Sequence, residues 1–258
     1  MKRPTFHRQK VLLTGASSGI GFELARQIAA QGGELLVVAR REEPLQELCD
    51  SFPGQIHRLA LDLAEQSSRV QAIQWVSETW GRLDVLINNA GVGAMGPFVD
   101  GDPQRLARIM DVNFIAAAEL CRLAYPLLQQ SDDASVINMG SVLGHRAVPF
   151  KSEYCASKFA LHGFSDALRC EWRSQGIRVL LVSPSTTDSP FFDRAIEDTL
   201  KRDWKGRSAV PPEHVAKATI RAWQRRKHEV ILTAGGKGLV WFDRLFPRIA
   251  DSLISKWG

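Results

Sequence analysis

Tyr154 and Lys158, four residues apart in the run SEYCASKFALHGF, are the pair in this chain whose types and spacing could do chemistry. On a helix, positions i and i+4 share a face, so a phenol and an ammonium would converge on one spot. A phenol ordinarily holds its proton to about pH 10, and a neighbouring cation favours the phenolate. Such a pair can donate or accept a proton in a reaction. Taken by itself the spacing also fits a half-buried tyrosine beside a solvated lysine, so its meaning depends on the elements around it.

The first of these elements lies at the N-terminus. Lys10-Val11-Leu12-Leu13-Thr14 is an apolar run of strand length that ends in Gly15-Ala16-Ser17-Ser18-Gly19-Ile20-Gly21. Ile20, Leu24, Ile28 and Ala29 then recur at helical spacing up to Gly32-Gly33, a helix stop. Strand, glycine-rich turn and helix make a unit for binding a dinucleotide, with free N–H groups at the helix start facing the pyrophosphate. The glycine spacing is Gly-x-x-x-Gly-x-Gly rather than Gly-x-Gly-x-x-Gly. A second apolar run, Glu34 to Ala39, ends at Arg40-Arg41 with no acid at the strand end. An acid there would accept the ribose hydroxyls of NAD, whereas an arginine accommodates the extra phosphate of NADP. NADP(H) is therefore expected in preference to NAD(H), with Arg40 first and Arg41 in support.

Further segments fall into line behind these. Leu61-Asp62-Leu63 follows a third apolar stretch, and Asp84-Val85-Leu86-Ile87 enters Asn88-Asn89-Ala90-Gly91. Asp111-Val112-Asn113-Phe114 lies in a long helical segment, and the strand from Ser135 ends at Ser141. Together with Thr14-Gly-Ala-Ser-Ser-Gly-Ile-Gly21 and the Tyr154/Lys158 pair, these motifs resemble the short-chain dehydrogenase/reductase family in its single-domain branch. The resemblance covers roughly the first three quarters of the chain.

The resemblance implies a Rossmann-like α/β fold, doubly wound, with a mostly parallel seven-stranded sheet and helices on both faces. It implies a catalytic tetrad of Asn113, Ser141, Tyr154 and Lys158. Tyr154 would exchange the proton with an alcohol or carbonyl oxygen, and Ser141 would hold that oxygen. Lys158 would depress the tyrosine pKa and bind the nicotinamide ribose, and Asn113 would hold a water leading to bulk solvent. The implied cofactor contacts are Gly15, Ser17, Ser18, Gly19, Ile20 and Gly21 in the turn, Arg40 and Arg41 after the second strand, and Asp62 and Leu63 at the adenine. Asn89, Ala90 and Gly91 follow near the adenosine ribose, then Tyr154 and Lys158, and finally Pro184, Thr187 and Ser189. This chain departs from the family after the sixth strand, where Ser185 follows Pro184 in place of the usual Gly and Ser189 stands for the usual Thr.

The alternating strands and helices run without a linker through all 258 residues, so one domain, 1–258, is expected. A segment from about 190 to 211, carrying Phe191, Phe192 and Trp204, reads as an apolar lid. Cys49, Cys121, Cys155 and Cys170 show no CxxC or metal spacing and read as small buried residues in a reducing compartment. The six histidines offer no metal spacing, and no metal is expected. A net charge of +5 is uneven, with a basic stretch between Lys201 and His228 that reads as a solvated helix face rather than a nucleic-acid site. No signal peptide and no spanning run of apolar residues is found, which gives a cytoplasmic expectation. In the segment 238–257, Leu239, Phe242, Phe246, Ile249, Leu253 and Trp257 recur at helical spacing, and Pro247 should divide the helix. That stripe is expected to pack on the domain or on a second subunit of a homodimer or homotetramer, with peripheral membrane contact as the lesser alternative. The expected function is interconversion of a secondary alcohol and a ketone or aldehyde, on an apolar or lipid-like substrate. A protein that senses NADPH, or acts as a scaffold, without turnover is the alternative.

Overall fold

The computed structural model describes residues 4–191, 193–200 and 209–257, the side chain of Trp257 excepted. The residues Phe192 and Trp204, and the start of the basic stretch at Lys201, lie outside the described residues.

Apolar runs of five or six residues, rich in Val, Leu and Ile, make strands that are covered on both faces. They are β1 (Lys10–Thr14), β2 (Glu34–Ala39), β3 (Ile56–Ala60), β4 (Val85–Asn88), β5 (Ser135–Met139), β6 (Arg178–Ser183) and the short β7 (Glu229–Ile231). They form one sheet in the order β3-β2-β1-β4-β5-β6-β7. Every pairing is parallel, so the mostly parallel expectation is met in full. Parallel pairing needs crossovers, supplied by helices α1 (Gly19–Ala29), α2 (Glu42–Ser51), α3 (Gln66–Trp80), α4 (Arg105–Met110), α5 (Ala116–Leu128), α6 (Ser152–Glu171) and α7 (Pro212–Gln224).

Side chains alternate across each strand, so the sheet feeds two cores. Val11, Leu13, Leu35, Val37 and Ile87 pack with Leu24 and Ile28 of α1 and with Ile220 and Trp223 of α7. Leu12, Leu36, Val38 and Leu86 pack on the other face with Val76 of α3, Leu120 of α5 and Leu168 of α6. Each such side chain contributes about 1.5–3 kcal/mol by leaving water, so the two cores hold the frame that the loops ride on. The chain winds outward from β1 to β3 and then crosses to β4 on the other side of β1. Ligands bind outside the carboxyl ends of the strands at such a switch point. The loops after β1, β4, β5 and β6 all open there.

One local outcome differs from the sequence expectations. Asp111–Ile115 is a single π-helical turn between α4 and α5 rather than part of a regular helix. The C-terminal stripe divides as expected, into α8 (Ala234–Leu245) and α9 (Pro247–Ile254), with Pro247 as the first residue of α9. The stripe packs little on the domain itself. Val240, Ala250 and Ile254 are buried, while Trp241, Leu245, Phe246, Ile249 and Leu253 are 49–66% exposed. Arg146 ion-pairs Asp243 at 2.8 Å and the exposed Asp251 at 2.6 Å and so ties both helices to the loop after β5.

Candidate active site

Tyr154 and Lys158 lie on the buried face of α6, with the Lys158 Nζ 5.8 Å from the centre of the tyrosine ring. The ammonium donates to the Met139 carbonyl at the end of β5 at 2.9 Å, which fixes its reach. Ser141, two residues beyond that strand, hydrogen-bonds the Tyr154 side chain. Its Oγ also accepts from the Leu143 backbone N–H at 3.1 Å and caps the short turn Val142–Gly144. The serine is thus a cap and a site residue at once.

Burial dominates the proton chemistry. It pushes the Tyr154 phenol up to about 12, against the pull of the Ser141 hydrogen bond. It also brings the Lys158 ammonium down to about 8. The expected depression of the tyrosine by Lys158 is therefore not found, because burial is the first cause of the shift and Lys158 is not among the others.

Asn113 sits in the π turn, where the widened helix lets its side chain reach back. Its Oδ1 accepts from the Val92 N–H at 2.7 Å, and its Nδ2 donates to the Val92 carbonyl at 3.0 Å and to Ser157 Oγ at 2.9 Å. Ser157 in turn donates to the Tyr154 carbonyl at 2.7 Å. Both amide protons are used, so any water on Asn113 could only donate to Oδ1. Asn113 ties the loop after β4 to the catalytic helix, and Ser157 is a tie the sequence did not disclose.

The dinucleotide turn is equally constrained. Gly15 has φ +70°, and a Cβ there would stand 2.7 Å from Ala90 Cα, while one at Gly21 would stand 2.2 Å from the Gly15 carbonyl. Asn89 Nδ2 donates to the carbonyls of Thr14 and Gly15 at 3.0 and 3.1 Å, so it holds the turn rather than facing a ligand. Ser18 lends no side-chain cap to α1, Ser17 accepts from Arg41, and the Ile20 side chain packs against the core. A Cβ on Gly19 would lie 3.1 Å from Ser189, which brings the loop after β6 against the turn. Gly91 lies between Asn113 Oδ1 and Lys158 Nζ. These residues make a cradle of backbone that a dinucleotide fits and a side chain would fill.

Asp62 is exposed and accepts from the Ala64 N–H at 3.0 Å, whereas the Leu63 side chain is in the core. Pro184 accepts from the Val142 N–H at 2.9 Å, joining the β5 and β6 loops. Thr187 Oγ1 donates to Ser185 at 3.1 Å. Ser185 has no left-handed backbone, so the turn does not need the Gly it replaces. Arg40 and Arg41 are both exposed at the end of β2. Arg41 donates to the Ser17 carbonyl and Oγ at 2.7 and 3.0 Å, and burial together with Arg194 and Arg40 holds its pKa below the ordinary value. Three guanidinium groups therefore crowd one end of the cleft.

The lid segment is anchored on the loop after β4. Ile196 donates to Gly93 at 2.8 Å, and the backbones of Met95, Glu197 and Thr199 exchange hydrogen bonds at 2.9 and 3.0 Å. Phe191 meets the Tyr154 ring edge-on at 5.7 Å between centres. Beneath the lid, Arg105, only 1% exposed, pairs with Glu153 at 2.6 Å and with Glu197 at 3.2 Å. This link joins α4, the start of α6 and the lid. Sequence reasoning missed it because Arg105 and Glu153 lie 48 residues apart with no motif between them.

The remaining expectations need two corrections. Cys121 and Cys155 are buried, but Cys49 is half-buried and Cys170 is exposed. His145 and His162, which have no metal spacing in sequence, come together with Glu229 in space. No described helix is long and apolar enough to cross a membrane.

The family model for short chain dehydrogenase matches residues 9–200. The chain is 31% identical to the uncharacterized oxidoreductase YxnA of Bacillus subtilis over 255 residues, covering 96% of this chain and 72% of that one. It is 32% identical to the 3-ketodihydrosphingosine reductase of Bacteroides thetaiotaomicron over 185 residues, covering 72% and 66%. A short-chain dehydrogenase/reductase from Burkholderia phymatum, solved in complex with NAD, superposes with a TM-score of 0.86 at 22% identity over 95% of this chain and 96% of that one. The chain belongs to the short-chain dehydrogenase family and is an oxidoreductase acting on CH–OH groups with a nicotinamide cofactor.

Proposed function

We propose that the protein is an NADP(H)-dependent reductase of ketones or aldehydes to the corresponding alcohols, with Tyr154 as proton donor and an apolar, lipid-like substrate. The observation that carries this reading is the convergence of the Tyr154 phenol, Ser141 and Lys158 at the foot of the dinucleotide cradle. The nicotinamide cofactor supplies the hydride when bound. Tyr154, held high by burial, is protonated at neutral pH and gives its proton to the carbonyl oxygen. Ser141 orients that oxygen, and the charge of Lys158 steadies the phenolate left behind. Asn113 keeps the loop after β4 in register with α6.

NADP(H) is supported by Arg41, Arg40 and Arg194 at the end of β2, a cationic corner suited to a phosphate on the adenosine ribose. An apolar substrate is supported by Phe191 against Tyr154 and by the name of the Bacteroides relative, which reduces a long-chain ketone. Four free cysteines fit a cytoplasmic setting. The exposed apolar strip on α8 and α9 fits a contact between copies in a homodimer or homotetramer. The test is consumption of NADPH and of NADH against a panel of long-chain and short ketones and aldehydes. The reading requires turnover, with NADPH preferred and the long-chain members reduced best. Cofactor binding without turnover on any member would favour a sensor instead.

A further inference from the structure

The fold gathers a second constellation two turns along α6 from Tyr154, toward the C-terminal end of the helix. His145 lies in the loop that carries Ser141, His162 is one turn beyond Lys158 on α6, and Glu229 opens the edge strand β7. One donor atom from each lies within 4.8 Å of the other two. We propose that these three residues form a site for one divalent transition-metal ion of the zinc class, which clamps the Ser141 loop to α6 and to β7.

The distances suit such an ion. His145 Nε2 is 3.6 Å from Glu229 Oε1, and His162 Nε2 is 3.9 Å from the same oxygen. Four-coordinate zinc with bonds of about 2.0–2.2 Å sets its ligand atoms about 3.2–3.6 Å apart. A small rotation of Glu229, whose side chain is at the surface, closes the gap to its oxygen, and the two rings, 4.3 Å apart between centres, must shift to bring their nitrogens onto one ion.

The proton arrangement points the same way. His162 Nδ1 lies 3.2 Å from the Gly144 carbonyl, which can only accept, so Nδ1 carries the hydrogen. In a neutral ring Nε2 then presents a lone pair, and it faces Glu229 and, at 3.5 Å, Asp166 Oδ2. Lone pairs from a ring and two carboxylates thus face one another, an arrangement that a proton on Nε2 or a metal cation among them satisfies. A backbone carbonyl behind a ligating histidine is the common outer contact of a metal site, fixing tautomer and ring orientation. The His145 side chain is only 2% exposed, so the ring is held in place by its surroundings. Its Nε2 lies 2.8 Å from Ser183 Oγ, a hydroxyl that can turn away when the nitrogen takes a ligand. Arg244 is the opposing charge near the site, and its guanidinium lies over Trp241.

The clamp would bear on catalysis through Gly144, where a Cβ would come 2.7 Å from the Lys158 carbonyl, so the serine loop rests directly on the lysine turn. The test uses the full chain with Cys170→Ser, which removes the exposed thiol, stripped with a chelator and titrated with Co2+ and then Zn2+. The expected result is ligand-field absorption saturating at about one cobalt per chain, displaced by zinc, with a zinc-dependent rise in thermal stability. His162→Gln and Glu229→Gln should each weaken cobalt by about tenfold or more, and the surface change His214→Gln should leave it unchanged. Should His162→Gln fail to fold, Glu229→Gln at the exposed start of β7 carries the test. No cobalt spectrum, or one that is insensitive to Glu229→Gln, would overturn the proposal. So would a metal-free His162 that titrates as a stable imidazolium while cobalt fails to bind.

Discussion

At Tyr154 and Lys158, desolvation and not mutual attraction sets the working protonation states. Lys158, brought to about 8, is charged at neutral pH and loses its proton just above it. Reduction should therefore decline as pH rises through about 8, and Lys158→Met should remove that inflection along with most turnover and cofactor affinity, as a pH profile of kcat/KM would show. The stability effect has the opposite sign. Between about 8 and the ordinary lysine value of 10.5 the unfolded chain holds the extra proton, so the contribution of Lys158 to stability rises with pH across that window. Arg105 and Glu153 form the other residue-scale device. Arg105→Met strands a carboxylate that is only 5% exposed and should cost roughly 3–5 kcal/mol in urea unfolding, whereas Arg105→Met with Glu153→Met should recover most of it. The residues proposed to act on the substrate were named from family motifs, and the structure brings Tyr154, Ser141 and Lys158 together. The ties that hold them, Ser157, Arg105 and Glu197, were not legible in sequence, since each depends on a partner distant in the chain.

Among the elements, the first two strands and the glycine turn could be read to the residue, whereas β3 had no bounds in sequence and the three-residue β7 gave no signal. β1 and β2 end where the apolar runs end, because strands buried on both faces have no polar alternation to blur their limits. The turn can be tested against a helix that tolerates change. Gly21→Ala drives a Cβ into the Gly15 carbonyl and should abolish measurable dinucleotide binding by calorimetry. Gly163, on the exposed side of α6, has nothing within 4 Å of an added Cβ. Gly163→Ala should leave binding intact and stabilise the protein by about 0.5–1 kcal/mol. The π turn at Asp111–Ile115 had no such signal. Its apolar spacing reads as helix, and the extra residue is set by the demand of Asn113 for the Val92 backbone.

For the molecule as a whole, the parallel sheet with helices around it follows from the order of motifs, and the exposed face of α8 and α9 does not. Hydrophobic spacing marked Phe246, Ile249 and Leu253 as a packing stripe for the domain or a second subunit, and the domain does not cover them. A strip of five large apolar side chains that is 49–66% exposed on an isolated chain calls for a cover. Leu245→Asp with Ile249→Asp should lower the assembly state in sedimentation analysis without loss of solubility. If instead the wild type sediments with anionic vesicles and the variant does not, the strip serves a membrane surface.

The most direct test of the reaction itself is Tyr154→Phe, measured on a ketone that the wild type reduces with NADPH. Without the hydroxyl there is no proton to give, so kcat should fall by at least about 10²-fold, while NADPH affinity, which rests on the turn and the arginines, changes little. Wild-type turnover in Tyr154→Phe would contradict the account.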